Sequence, residues 1–142
     1  MKFDRRIFSN LILFVVLIVV VAVLTMCQSS TAIRIAYGDE LMGISSKDYS
    51  ANVAYEDVAS LELLEDPDLG ATAGGKNRPE LKTGLWENQS WGTYYLCFNP
   101  NATNCVVVHL KDGQVLVFNN NTNENTAATY EEFLTHLPHL NQ

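Results

Sequence analysis

Positive charge is scarce in this sequence. Nine Lys and Arg residues stand against sixteen Asp and Glu, for a net charge of −7. Three of the nine, Lys2, Arg5 and Arg6, lie in the first six positions, and beyond Ala32 six basic residues face fifteen acidic ones. Lys76, Arg78 and Lys82 are the only local basic cluster. This balance repels nucleic acid, which is not an expected partner. Catalytic motifs are missing as well. Ser90 sits in Gln89-Ser90-Trp91, not in a glycine-flanked elbow. Gly74-Gly75-Lys76 lacks the frame of a phosphate-binding loop. The acidic stretch Asp66-Pro67-Asp68-Leu69-Gly70 does not follow calcium-loop spacing. No catalytic residue, cofactor or metal site is expected, and the chain does not read as an enzyme.

What is present begins with a long apolar run. Residues 7–26, from Ile7 to Met26, are almost unbroken, and 11–24 hold no polar residue. About twenty helical residues at about 1.5 Å each match a bilayer core of about 30 Å. The expectation is a cytoplasmic tail over 1–6, a transmembrane helix over 7–26 and a linker over 27–32. The basic residues ahead of the run place the N-terminus inside and the rest of the chain outside the cell membrane, as a single-pass protein. A cleaved signal peptide is the alternative, with Ser30-Thr31-Ala32 as a late cleavage site.

Beyond the run the periodicity is mostly two. Strands are expected over 31–36, 41–45, 49–55, 58–64, 81–86, 91–98, 105–110 and 115–118. Residues 65–80 hold Pro67, Gly70, Gly74, Gly75 and Pro79 and read as one long loop. Lys111-Asp112-Gly113 marks a hairpin turn. Residues 119–125 are rich in Asn and read as a solvated linker. The last element changes period: Ala127, Tyr130, Phe133, Leu134 and Leu137 form one helical stripe, with Thr126 or Asn125 as N-cap and Pro138 as the stop. The fold expected is mainly β, an antiparallel barrel or roll of about seven strands capped by the C-terminal helix.

Several stretches resemble the small bacterial PH-like (pleckstrin-homology-like) domain proteins, which carry an N-terminal membrane anchor. They are Val53-Ala54-Tyr55-Glu56-Asp57-Val58-Ala59-Ser60-Leu61-Glu62-Leu63, the glycine-rich loop with Arg78 and Gly84, and Trp91-Gly92-Thr93-Tyr94-Tyr95. Lys111-Asp112-Gly113 and the segment 119–134 with Thr126 and Tyr130 complete the likeness. It covers about residues 33–137, leaving 138–142 as a tail, and bears on fold more than on function. Eukaryotic members that bind phosphoinositides place Lys and Arg around the first hairpin. The matching turn, Tyr37-Gly38-Asp39-Glu40, has no base, so phosphoinositide binding is not expected.

Candidate sites are few. Cys97 and Cys105 flank the loop 99–104. If they face each other across a symmetric hairpin, their Cα atoms are about 4.5 Å apart, at the short edge of disulfide geometry. A structural disulfide and two free thiols both remain open. His136 and His139 read as a solvated helix end and His109 as a lone strand histidine. Trp86, Trp91, Tyr94 and Tyr95 crowd together beside the long loop with Arg78, either as core or as an exposed rim. The function expected is a membrane-anchored, extracytoplasmic, non-catalytic protein-interaction module. Its partners would be the lipid bilayer, through Ile7 to Met26, and a membrane or envelope protein. The alternative is a small-ligand or glycan binder using the aromatic rim. An open sheet edge would favour the first and a pocket lined by Trp86, Trp91 and Tyr95 the second.

Overall fold

The computed structural model describes residues 5–27 and 31–141. It divides into two compact units, 1–30 and 31–142. In the first, α1 spans Arg5–Cys27. The expectation that residues 7–26 cross a membrane is corrected here: among the described residues no helix is long and apolar enough to do so. The single-pass placement, the cytoplasmic N-terminus and the extracytoplasmic domain all rested on that span and fall with it. The expected tail and linker lie mostly at 1–4 and 28–30, outside the described residues, as does the Cys27 side chain.

Among its described residues the second unit holds ten strands. β1 (Arg34–Tyr37), β2 (Leu41–Ser45) and β3 (Ser50–Ala54) form an antiparallel three-stranded sheet. A 3-10 turn, Tyr55–Asp57, leads into β4 (Val58–Leu64). Then follow β5 (Ala71–Thr72), β6 (Lys76–Asn77), β7 (Lys82–Asn88), β8 (Gly92–Phe98), β9 (Cys105–Leu110) and β10 (Val115–Phe118). These make a seven-stranded sheet in the order β4-β9-β10-β8-β7-β5, with β6 also on β7. α2 (Asn123–Thr135) and a 3-10 turn, Pro138–Asn141, complete the chain.

The expected antiparallel barrel is therefore corrected. There are two open sheets, and β4 and β5 remain unjoined at opposite ends of the larger one. The physical reason is the place of β10. It turns back antiparallel on β9 and then lies parallel beside β8, between the two strands that the loop 99–104 connects. The larger sheet is buried on both faces. One core joins Met42, Ile44 and Val53 of the small sheet to Val106, Val108, Leu116 and Phe118, with Phe133 and Leu137 added from the C-terminal region. The opposite face carries Trp86, Tyr94, Leu96, Val107 and Val117. That second core is covered by the segment between β4 and β5, where Leu69 packs against it. Asp66 N donates to Thr103 O at 3.2 Å, and Tyr94 Oη donates to Leu69 O.

Two further expectations change. Residues 65–80 are not one loop, because β5 and β6 lie flat on β7. A Cβ at Gly75 would sit 2.3 Å from the Thr83 carbonyl oxygen, so only glycine lets the two backbones approach so closely. Residues 119–125 are not a solvated linker either. Asn119 is fully buried, and α2 already begins at Asn123, capped by Thr122, whose Oγ1 accepts from Asn125 N at 3.0 Å. Of the expected tail 138–142, Pro138–Asn141 form a 3-10 turn, with Leu140 against the first core.

Candidate functional site

The aromatic rim is not assembled. Trp86 and Tyr94 are core residues, each 1% exposed. Trp86 Nε1 donates to Thr83 O at 3.1 Å, and Lys82 lies over its ring. Trp91 meets Tyr94 edge to face, at 5.0 Å between centroids. Tyr95 stacks on Tyr49, which packs on the opposite core. Arg78 is occupied elsewhere: its Nε lies 3.3 Å from Asp48 Oδ2, while Lys76 Nζ reaches Asp48 Oδ1 at 3.2 Å. These two contacts tie the β2–β3 turn to the β6 region. The four aromatics and Arg78 thus share no common surface.

Cys97 and Cys105 are free and buried, and the fold holds them apart. Cys97 pairs with Phe118 of β10, and Phe118 pairs with Val106 of β9. Two strand spacings separate β8 from β9, about 10 Å, beyond the roughly 7 Å ceiling for a disulfide. The thiols also face opposite cores. Burial pushes Cys97 up to about 11 and Cys105 up to about 12, so both stay protonated and unreactive near neutrality.

All three histidines are engaged. His136 stacks between Tyr37 and Tyr55, with centroids at 5.0 and 4.9 Å. His139 Nε2 donates to the Val58 carbonyl at 2.9 Å. His109 Nε2 meets Glu62 Oε2 at 2.9 Å. Asp39, Glu40 and Glu56 flank an open cleft of about 450 Å³ beside Leu41, Tyr55 and His136. Burial raises the Tyr55 phenol, and the Asp39 charge adds to it. Among the described residues no group of three or more His, Cys, Asp or Glu is placed to hold a metal ion.

The feature that remains is an edge. β4 pairs with β9 on one side and, among the described residues, with no strand on the other. It is seven residues long, whereas β5 and β6 at the far end have two each. Leu61, Leu63 and Leu64 are half-buried, and Ala59, Ser60 and Glu62 are exposed. A bulge between Val58 and Ser60 and the His139 bond to Val58 blunt its first residues. From Ser60 onward the register against β9 is regular. The strand itself was readable from its alternation. Its edge position was not, because that depends on which distant strand pairs with it. No family model, no curated protein and no solved structure matches the chain.

Proposed function

We propose that residues 31–142 form a non-catalytic protein-interaction module that accepts a strand along β4. The open edge of β4 carries this reading. An unpaired edge presents a row of backbone N–H and C=O groups, and an extended segment satisfies them by adding a strand. The half-buried leucines supply apolar surface for that segment's side chains. The acidic balance of the domain favours a partner that is not itself strongly acidic. The glycan or small-ligand alternative requires the aromatic rim on one surface, and the positions of Trp86 and Tyr95 lend it no support.

The test is hydrogen exchange on the full chain. Peptides of about a dozen residues, the length of an extended recognition segment, are selected from a random library for binding. A bound peptide should slow exchange at the amides of 59–64. Binders that protect only the cleft around Asp39 and Glu56, leaving β4 unchanged, would overturn the proposal.

A further inference from the structure

Resting on the reading of β4 as a strand-accepting edge, we infer that its partner is a basic extended segment in which Lys or Arg alternates with apolar residues. The charge along the edge and the two faces of the strand both point to it. Glu56 and Asp57 precede β4, Glu62 lies within it, and Glu65 and Asp66 follow it, all of them exposed. Between Asp48 and Gly75 the chain has no Lys or Arg. α2, which packs beside β4, has none either, and it exposes Glu124, Glu131 and Glu132. On the neighbouring strand His109 meets Glu62 at 2.9 Å. Lys111, just after β9, donates its backbone N–H to Asp57 O at 2.9 Å. A strand added to this edge therefore meets negative charge at both ends and in the middle. Opposite charges across paired strands attract, and like charges directly opposed repel. The edge selects a basic segment and disfavours an acidic one, β4 of a second copy included.

The pleat says where the charges of that segment sit. Leu61 and Leu63 pack on the first core and pair with Val108 and Val106 of β9. Ser60, Glu62 and Leu64 take the other face and pair with His109, Val107 and Cys105. The His109 contact fixes the Glu62 carboxylate on that face, where its side chain is still 51% exposed. An added strand keeps the same alternation. It sets apolar side chains beside Leu61 and Leu63, and Lys or Arg beside Ser60 and Glu62. Next to Leu64 the long stem of Lys or Arg covers the leucine while its charged head stays in water. The bulge confines this pairing to 60–64, and Val58, which is buried, takes no part.

Three synthetic peptides test this on the full chain. One is Lys-Val-Lys-Val-Lys-Val-Lys. The second has Glu in place of every Lys, and the third alternates Lys and Glu at those positions. Calorimetry gives the affinity, and hydrogen exchange gives the place of binding. At low salt the Lys peptide should bind about tenfold tighter than the mixed one and slow exchange at the amides of 60–64. At about 0.5 M salt most of that advantage should vanish, because exposed charges are screened. Glu62→Gln should cut it about two- to fivefold; an advantage that survives this change whole overturns the inference. So does a Lys peptide that protects 60–64 but binds no tighter than the other two, and strand acceptance then stands. If no peptide protects 60–64, or the Lys peptide protects only other acidic surfaces, both readings fall.

Discussion

Asn119 and Asn121 use their side chains as a strand uses its backbone. Asn119 Oδ1 accepts from Asn99 N and its Nδ2 donates to Asn99 O, both at 2.9 Å. Asn121 does the same to Ile33, at 2.8 and 2.9 Å, and so fastens the segment leading into β1 to the start of the helical region. Asn121 stands at φ 68°, a left-handed conformation that Asn tolerates better than most residues. Asn119→Ala would leave the buried Asn99 N–H unpaired, while Asn99 O keeps the bond from Ala102 N at 3.2 Å. At about 1–3 kcal/mol for an unsatisfied buried group, the expected loss is about 1–3 kcal/mol in urea denaturation. An unchanged midpoint would show that water replaces the lost bond. Composition hid this role. A run of asparagines reads as solvent-loving, and nothing local reveals that each amide has a peptide group facing it.

The elements were legible to the extent that their periods are local. β2, β4, β9 and β10 fall on the expected boundaries because alternation and an Asp-Gly turn bracket them. β5 and β6 escaped, being pairs of exposed residues held by a close glycine approach rather than by burial. The helical stripe was readable, although α2 starts at Asn123, earlier than expected, because Thr122 is the cap. Phe133 is fully buried and lies 6.2 Å from Tyr55 and 6.5 Å from Phe118, ring to ring. It joins α2 to the 3-10 turn after β3 and to β10, whereas the expected role was to stopper a barrel. Phe133→Ala should cost about 3–5 kcal/mol, read as a shifted denaturation midpoint of the full chain. A loss below about 1 kcal/mol, no more than a tolerated hydrophobic swap, would mean that α2 is dispensable to the first core. The candidate site was legible only in part. The leucines of β4 were visible, but its edge position depends on which distant strand pairs with it, and that strand is β9.

Across the whole molecule, buried acids set the alkaline limit. Burial, then the Glu132 charge, lifts Tyr37 up to about 12; burial lifts Tyr49 up to about 12 as well. Cys97 and Cys105 rise from 9.0 to about 11 and about 12. In every case the folded state holds its proton longer than the unfolded chain does. Their contribution is full below the unfolded values, 9.0 for the thiols and 10.0 for the phenols, and is lost as pH climbs through the folded ones. The denaturation midpoint should therefore fall steadily from about pH 9 to about pH 12. A midpoint that stays level across that window would show that these groups already reach solvent in the folded state.

The insertion of β10 also fixes an order of events during synthesis. β7 and β8 can close as a hairpin as soon as both have emerged. Among the described residues β4 pairs with β9 alone, so it must wait until residue 110 has emerged. β8 remains open on the side that β10 will fill until residue 118 is out. The sheet is therefore completed late, through pairings distant along the chain, which is the slow regime of folding. Through that interval β4 exposes both edges, so crowded nascent chains are the place where strand exchange between copies competes most directly with correct closure.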